Sequence, residues 1–282
     1  MNIRISADST CDLSPELVRE NGVTITPLYI VCGEKSLVDG VDIAPDDVFA
    51  WTREHKKPCS TAAVNVADYL KVFGELRQEC DAVIHFTISA EMSSCYLNAC
   101  TAAEQIGGVY VIDSRSLSTG IGHLVLDACE MARAGMDAET IFNTLQQRRE
   151  LLDVSFVIDT LEYLRYGGRC SSLAAFGANL LHLKPSIQVS GGTMDVGRKY
   201  RGTLKKCLLD YINDKLAEPD TVDPRRIFIT DSGVDEEIWR AVEADLRARI
   251  PFENIYHTRA GCTVSGHCGP GTLGILFYRK EK

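Results

Sequence analysis

Short apolar runs alternate along the chain with stretches whose apolar residues recur every three or four positions. The runs Ile3–Ala7, Thr24–Cys32, Ala82–Thr87, Val109–Ile112, Val154–Ile158, Ser186–Val189, Ile227–Thr230, Asn254–His257 and Leu273–Tyr278 are rich in Val, Ile and aromatic residues. Gly, Asp and Ser bound them, which predicts strands. In Asn65–Arg77 the residues Val66, Tyr69, Leu70 and Phe73 fall at i, i+3, i+4 and i+7, the spacing of one helix face. Ser93–Gln105, Gly120–Ala134, Ala138–Leu151, Thr203–Leu216 and Glu236–Arg249 read as helices in the same way. Strand–helix alternation predicts an α/β fold with a largely parallel, helix-covered sheet. We expect a first α/β domain over residues 1–152 and a smaller, mixed-sheet α/β domain over 153–282. The second carries a hairpin, Ser186–Val189 and Thr193–Val196, turning at Ser190-Gly191-Gly192. Glu218–Pro224, with two prolines and three acids, reads as a surface loop.

Composition narrows the class. Of 282 residues, 45% are apolar and 24% charged, which suits a globular chain and excludes a disordered one. The net charge of −9 offers no broad basic surface for nucleic acid or anionic lipid. An anionic ligand must then be held by local donors. The 11 cysteines include no CxxC pair, which argues against a zinc site, and a chain of this size needs no disulfide framework. We read most of the thiols as small buried apolar groups. The first residues enter a strand directly, with no export signal. The uncharged run Ala260–Tyr278 holds five glycines and Pro270, which suits a turn feeding a strand and not a membrane helix. These features predict a cytoplasmic protein without a membrane segment.

Candidate chemistry is spread over several segments. Asp8-Ser9, Asp113-Ser114 and Asp231-Ser232 end predicted strands, where Asp and Ser turn the chain and cap the next helix. A structural turn is the expected role of each, and Asp8-Ser9 is the one of the three best placed to face a cleft instead. Two hydroxyl clusters, Pro58–Ala63 and Ser89–Tyr96, lie where strands give way, and hydroxyls with free amides there suit an anion. Plain capping explains either cluster equally well. Gly167-Gly168 permits a sharp corner from which Arg169 projects. Beyond that corner the apolar residues Leu173, Phe176, Leu180, Leu181 and Leu183 read as core. Gly269–Gly274 matches GxGxxG, but a strand and not a helix comes after it, so we expect no dinucleotide or other cofactor. No GxSxG, HExxH, SxxK or P-loop occurs. A hydrolase or acyl-transfer enzyme using Ser93 or Ser60 with His267 is the alternative, and it lacks an identified acid to orient the imidazole.

Taken together, these segments resemble the DegV family of bacterial fatty-acid-binding proteins. The resemblance covers nearly the whole chain. It rests on Asp8–Leu13, Pro58–Ala63, Ser93–Tyr96, Asp113-Ser114, Gly168-Arg169, Leu183–Pro185, Lys199–Arg201 and His267–Gly274, in that order. It implies two α/β domains enclosing one long-chain fatty acid, such as palmitate, with the carboxyl group near the domain junction. It also implies a carrier and not an enzyme, one that presents the lipid to a separate fatty acid kinase for acyl-phosphate formation and phospholipid synthesis. By the same resemblance Ser60, with Thr61 beside it, Ser93 and His267 bind the carboxylate, and Arg169 serves the kinase step. The first cluster departs from the family's usual Thr-Ser-Gln-Pro, reading Ser60-Thr61-Ala62-Ala63, and Ser94-Cys95 replaces Gly-Thr.

The physics of such a ligand is consistent with these residues. Hydroxyls and an imidazole can orient a buried carboxylate without a cation. At about 0.8 kcal/mol per methylene, roughly 14 methylenes supply about 11 kcal/mol gross, part of it cancelled by immobilising the chain. A tunnel on the order of 300–1,000 Å³ is expected.

Overall fold

A computed structural model of the protein describes residues 1–170 and 183–281. In chain order its strands are β1 (Ile3–Asp8), β2 (Thr24–Thr26), β3 (Tyr29–Cys32), β4 (Lys35–Val38), β5 (Ser60–Ala62), β6 (Ala82–Thr87), β7 (Val109–Asp113), β8 (Leu152–Val157), β9 (Leu183–Ser190), β10 (Thr193–Arg201), β11 (Val222–Ser232), β12 (Asn254–Arg259) and β13 (Thr272–Arg279). The helices are α1 (Pro15–Asn21), α2 (Pro45–His55), α3 (Val66–Arg77), α4 (Cys95–Ile106), α5 (Thr119–Arg133), α6 (Ala138–Arg148), α7 (Glu162–Gly167), α8 (Leu204–Lys215), α9 (Glu236–Arg249) and α10 (Cys262–Cys268).

The expected α/β architecture is present. A parallel sheet runs β2-β1-β6-β7, and a mixed six-stranded sheet runs β10-β9-β8-β13-β11-β12. A third, antiparallel sheet, β4-β3-β5, was not anticipated. Every residue of β6 is buried, as a central parallel strand covered on both faces requires. Helix α5 lies between the two larger sheets and is buried from Thr119 through Cys129. It is stitched to the mixed sheet by Thr119 Oγ1 on Thr230 Oγ1 (2.7 Å) and His123 Nε2 on the Leu276 carbonyl (2.9 Å). One apolar cluster therefore runs from Ile5 on β1 to Leu276 on β13, and a second fills the far face of the mixed sheet under α8 and α9.

Four local expectations need correction. The predicted strand Thr24–Cys32 is two strands in different sheets, because Pro27 between them has no N–H for either ladder. The predicted helix Ala138–Leu151 ends at Arg148 and tightens into a 3-10 turn over Arg149–Leu151. Glu218–Pro224 is not wholly a surface loop. Val222 is buried and opens β11, and Pro224 falls where the β11–β13 register shifts, the one kind of interior strand position a proline tolerates. Finally, Cys32 and Cys59 form a disulfide, because antiparallel pairing of Val31 with Ser60 brings them together with Cα atoms 4.8 Å apart. The other nine cysteines form no disulfide, and seven of them are buried. Leu173, Phe176, Leu180 and Leu181 lie outside the described residues, and Leu183 opens β9.

Candidate ligand-binding site

Parallel α/β sheets hold ligands beyond the carboxyl ends of their strands. A cavity of about 260 Å³ lies there, beyond β6 and β7 and against α10. Leu28, Ile88, Met92, Leu117, Met194 and Val264 supply its apolar wall. Thr61, Ser93, Ser94, Thr263, His267 and Arg169 supply its polar groups. The volume is just under the expected range. A void of about 20 Å³ adjoins it, with Leu117, Val264 and Cys268 shared between the two linings.

His267 stands in the last turn of α10, and its Nε2 is 2.9 Å from Thr61 Oγ1. Burial, then the positive charge of Arg169, push its pKa down to about 4, so the ring is neutral at physiological pH. A neutral imidazole and a hydroxyl can each donate or accept, so the pair can turn a donor toward an anion. Nδ1 has no hydrogen-bond partner among the described residues. It lies against Gly167, where an added Cβ would come within 2.3 Å, so only glycine allows α7 this close to the ring.

The other predicted residues divide. Ser93 lines the cavity while its Oγ accepts the Cys95 N–H (3.3 Å), so it caps the start of α4 and faces the cavity at once. Ser60 is exposed and is not among the lining residues; Thr61, next along β5, is. Strand alternation turns neighbouring side chains to opposite faces, so only one of the two hydroxyls is presented. Arg169 comes directly after Gly168, whose φ of +66° makes the expected corner, and it donates to the Gly167 carbonyl at 2.6 Å. It is exposed yet lines the cavity, so the polar end is not without a cation, contrary to the expectation. Asp8 does not face a cleft. It is fully buried, accepting from Tyr69 Oη at 2.6 Å and from the Ile88 N–H at 3.2 Å, with His85 Nε2 at 3.3 Å. Asp113 and Asp231 accept backbone N–H groups just downstream, as turn residues do. Among the described residues no cluster of His, Cys, Asp and Glu could hold a metal ion. No helix there is long and apolar enough to cross a membrane.

The family model described as "Uncharacterised protein, DegV family" matches residues 2–280. The chain belongs to the DegV family. A DegV domain-containing protein of Deinococcus radiodurans is 32% identical over 278 residues, covering 98% of both chains. A solved structure reporting fatty acid binding of a DegV family protein from Thermus thermophilus superimposes with a TM-score of 0.92 at 30% identity, over 99% of this chain and 100% of that one. The structure of DegV, a fatty acid binding protein from Bacillus subtilis, gives 0.87 at 26% identity, over 99% of this chain and 100% of the other.

In this DegV-family chain, sequence reasoning missed Thr263, Met92, Met194 and Leu117 as lining residues. Thr263 was hidden because Cys262–Cys268 reads as a turn: two β-branched residues and Gly266 give it little helix propensity. It forms a helix because two buried acids from far upstream, Asp12 and Asp39, accept the N–H groups that open it. Met194 is on β10 of the other sheet, and no local pattern pairs it with Met92.

Proposed function

We propose that this protein is a carrier that binds one long-chain fatty acid in the cavity and presents it to a fatty acid kinase in the cytoplasm, without catalysing a reaction itself. The observation that carries the reading is the composition of the cavity wall: apolar side chains from several elements, with a neutral hydroxyl–imidazole pair, Thr61 and His267, at one place on it. The apolar wall takes the acyl chain, whose burial supplies the affinity. Thr61, His267 and Ser93 orient the carboxylate. The exposed guanidinium of Arg169 lies where a docking partner can reach the headgroup, which suits the kinase step. Likeness to the fatty-acid-binding relatives from Thermus thermophilus and Bacillus subtilis supports the same reading.

The hydrolase alternative finds less support. His267 hydrogen-bonds a threonine and has no acid on Nδ1 among the described residues. Ser93 is engaged with Cys95 and not with an imidazole.

Organic extraction of protein made in bacterial cells, followed by mass spectrometry, tests the carrier reading. One fatty acid per chain is the expected result; an extract without stoichiometric fatty acid overturns it. Phosphorylation of the bound lipid by a fatty acid kinase tests the partnership. Arg169→Ala is expected to spare binding and slow that reaction.

A further inference from the structure

Thr61 and His267 come from opposite ends of the chain, and something must hold their two elements in register. Thr61 rides on β5 of the small antiparallel sheet, and His267 rides on α10. Asp39 comes directly after β4 of that same sheet and is buried, and it does not line the cavity. Its Oδ1 accepts the Cys262 N–H at 3.0 Å. Its Oδ2 accepts the Thr263 N–H at 3.2 Å, Thr263 Oγ1 at 2.7 Å and Ser9 Oγ at 3.0 Å. Ser9 Oγ in turn accepts the N–H of Leu28, a lining residue, at 3.1 Å, and the Asp39 N–H donates to the Leu28 carbonyl at 2.9 Å. One carboxyl group thus joins the sheet that carries the hydroxyl to the helix that carries the imidazole.

We propose that Asp39 is a positioning residue which sets carboxylate recognition by locking α10 to the β4-β3-β5 sheet. The proposal rests on the fatty-acid reading of the cavity. Its chemistry is specific to a carboxyl group. Each oxygen receives a backbone N–H, and a backbone N–H cannot turn around. In Asp39→Asn, whichever way the amide is flipped, its NH₂ meets one of those N–H groups and the helix end must shift. Asp12 provides the contrast. It accepts the Gly261 N–H on Oδ1 (2.9 Å) and Ser118 Oγ on Oδ2 (2.5 Å). In Asp12→Asn the amide oxygen keeps the N–H, and the Ser118 hydroxyl rotates to accept from the NH₂.

The test compares the affinities of delipidated full-length protein for palmitate and for methyl palmitate, which keeps the chain and removes the carboxylate. Asp39→Asn is expected to lower the acid-to-ester affinity ratio about tenfold, with ester binding nearly unchanged. Ser9→Ala, a milder cut in the same network, lowers the ratio about two- to threefold and carries the test if Asp39→Asn does not fold. Asp12→Asn changes the ratio by less than about twofold. A general loss of packing weakens both ligands alike, and that result, or an unchanged ratio in both Asp39→Asn and Ser9→Ala, overturns the positioning role. If wild-type protein binds acid and ester equally, the headgroup reading itself fails, and this proposal with it.

Discussion

His85 and His267 each hydrogen-bond a hydroxyl side chain at 2.9 Å, and there the likeness ends. His85 lies between Ser6 Oγ and Asp8, so Ser6, His85 and Asp8 form the serine–histidine–aspartate chain that a hydrolase would need. All three are fully buried, and Tyr69 and Phe73 pack against the ring edge-on. No substrate reaches them, and none of the three lines the cavity. His267 has the reverse endowment, a cavity beside it and no acid partner among the described residues. A complete triad sealed in a core satisfies polar groups within a parallel sheet. An incomplete pair on a cavity wall can offer its hydrogen bonds to a ligand. Access, not the set of residue types, separates the two roles.

Four sets of variants break or sharpen this contrast. The largest effect is expected from exchanging the two histidines for alanine. His85→Ala removes a buried partner of Asp8 and should cost about 3 kcal/mol in denaturant unfolding, with palmitate affinity of the folded protein retained. His267→Ala should change stability by about 1 kcal/mol or less and weaken palmitate binding roughly 10- to 100-fold in a titration. If His85→Ala abolished binding in folded protein, the contrast would be lost.

Next come changes beside His267. Thr61→Val keeps the shape and removes the hydroxyl, so palmitate affinity should fall about tenfold and methyl palmitate affinity far less. Gly167→Ala places a methyl group against Nδ1 and should displace the ring to similar effect, measurable in the same titration.

The pH dependence of stability separates a third pair. Burial, reinforced by Asp39, raises the Asp12 carboxyl to about 7, against hydrogen bonds from Ser118 and Gly261. The folded state then holds this proton more tightly than the unfolded chain, so the stability it contributes is full below about pH 4 and is lost as pH rises through about 7. His267, lowered to about 4, works the other way and loses its contribution as pH falls from about 6.5 toward 4. The difference between wild type and Asp12→Asn isolates the first. Asp12→Asn should gain relative stability between pH 4 and 7, read from unfolding midpoints across that range; a constant difference would refute the assignment. The smallest effect belongs to Ser6→Ala, about 1 kcal/mol of stability. Neither it nor wild type should turn over an acyl ester, and turnover that Ser6→Ala removed would make the sealed triad catalytic after all.

The same contrast explains what was legible in the sequence. Predominantly apolar runs such as Ala82–Thr87 and periodic stretches such as Val66–Arg77 carry their structure locally, and they are enough to specify the parallel sheet with its helices. The cavity is assembled from long-range contacts. Helix α10 exists because Asp12 and Asp39 receive its first N–H groups, and no window around Cys262 contains either acid. Strand β5 is three residues long, and its pairing with β3 decides that Thr61 and not Ser60 faces His267, besides bringing Cys32 to Cys59. The segments named by the resemblance contribute Thr61, Ser93, Arg169 and His267 to the cavity wall; which side chain in a segment points inward is set by partners elsewhere in the chain.

Histidine-selective NMR of delipidated protein during palmitate addition tests the central claim most directly. A carboxylate bound beside His267 should shift that ring's signals and raise its pKa from about 4, while the NMR signals of the His85 ring keep their positions. Saturable palmitate binding that leaves His267 unperturbed, or that moves His85 as much, would contradict the account.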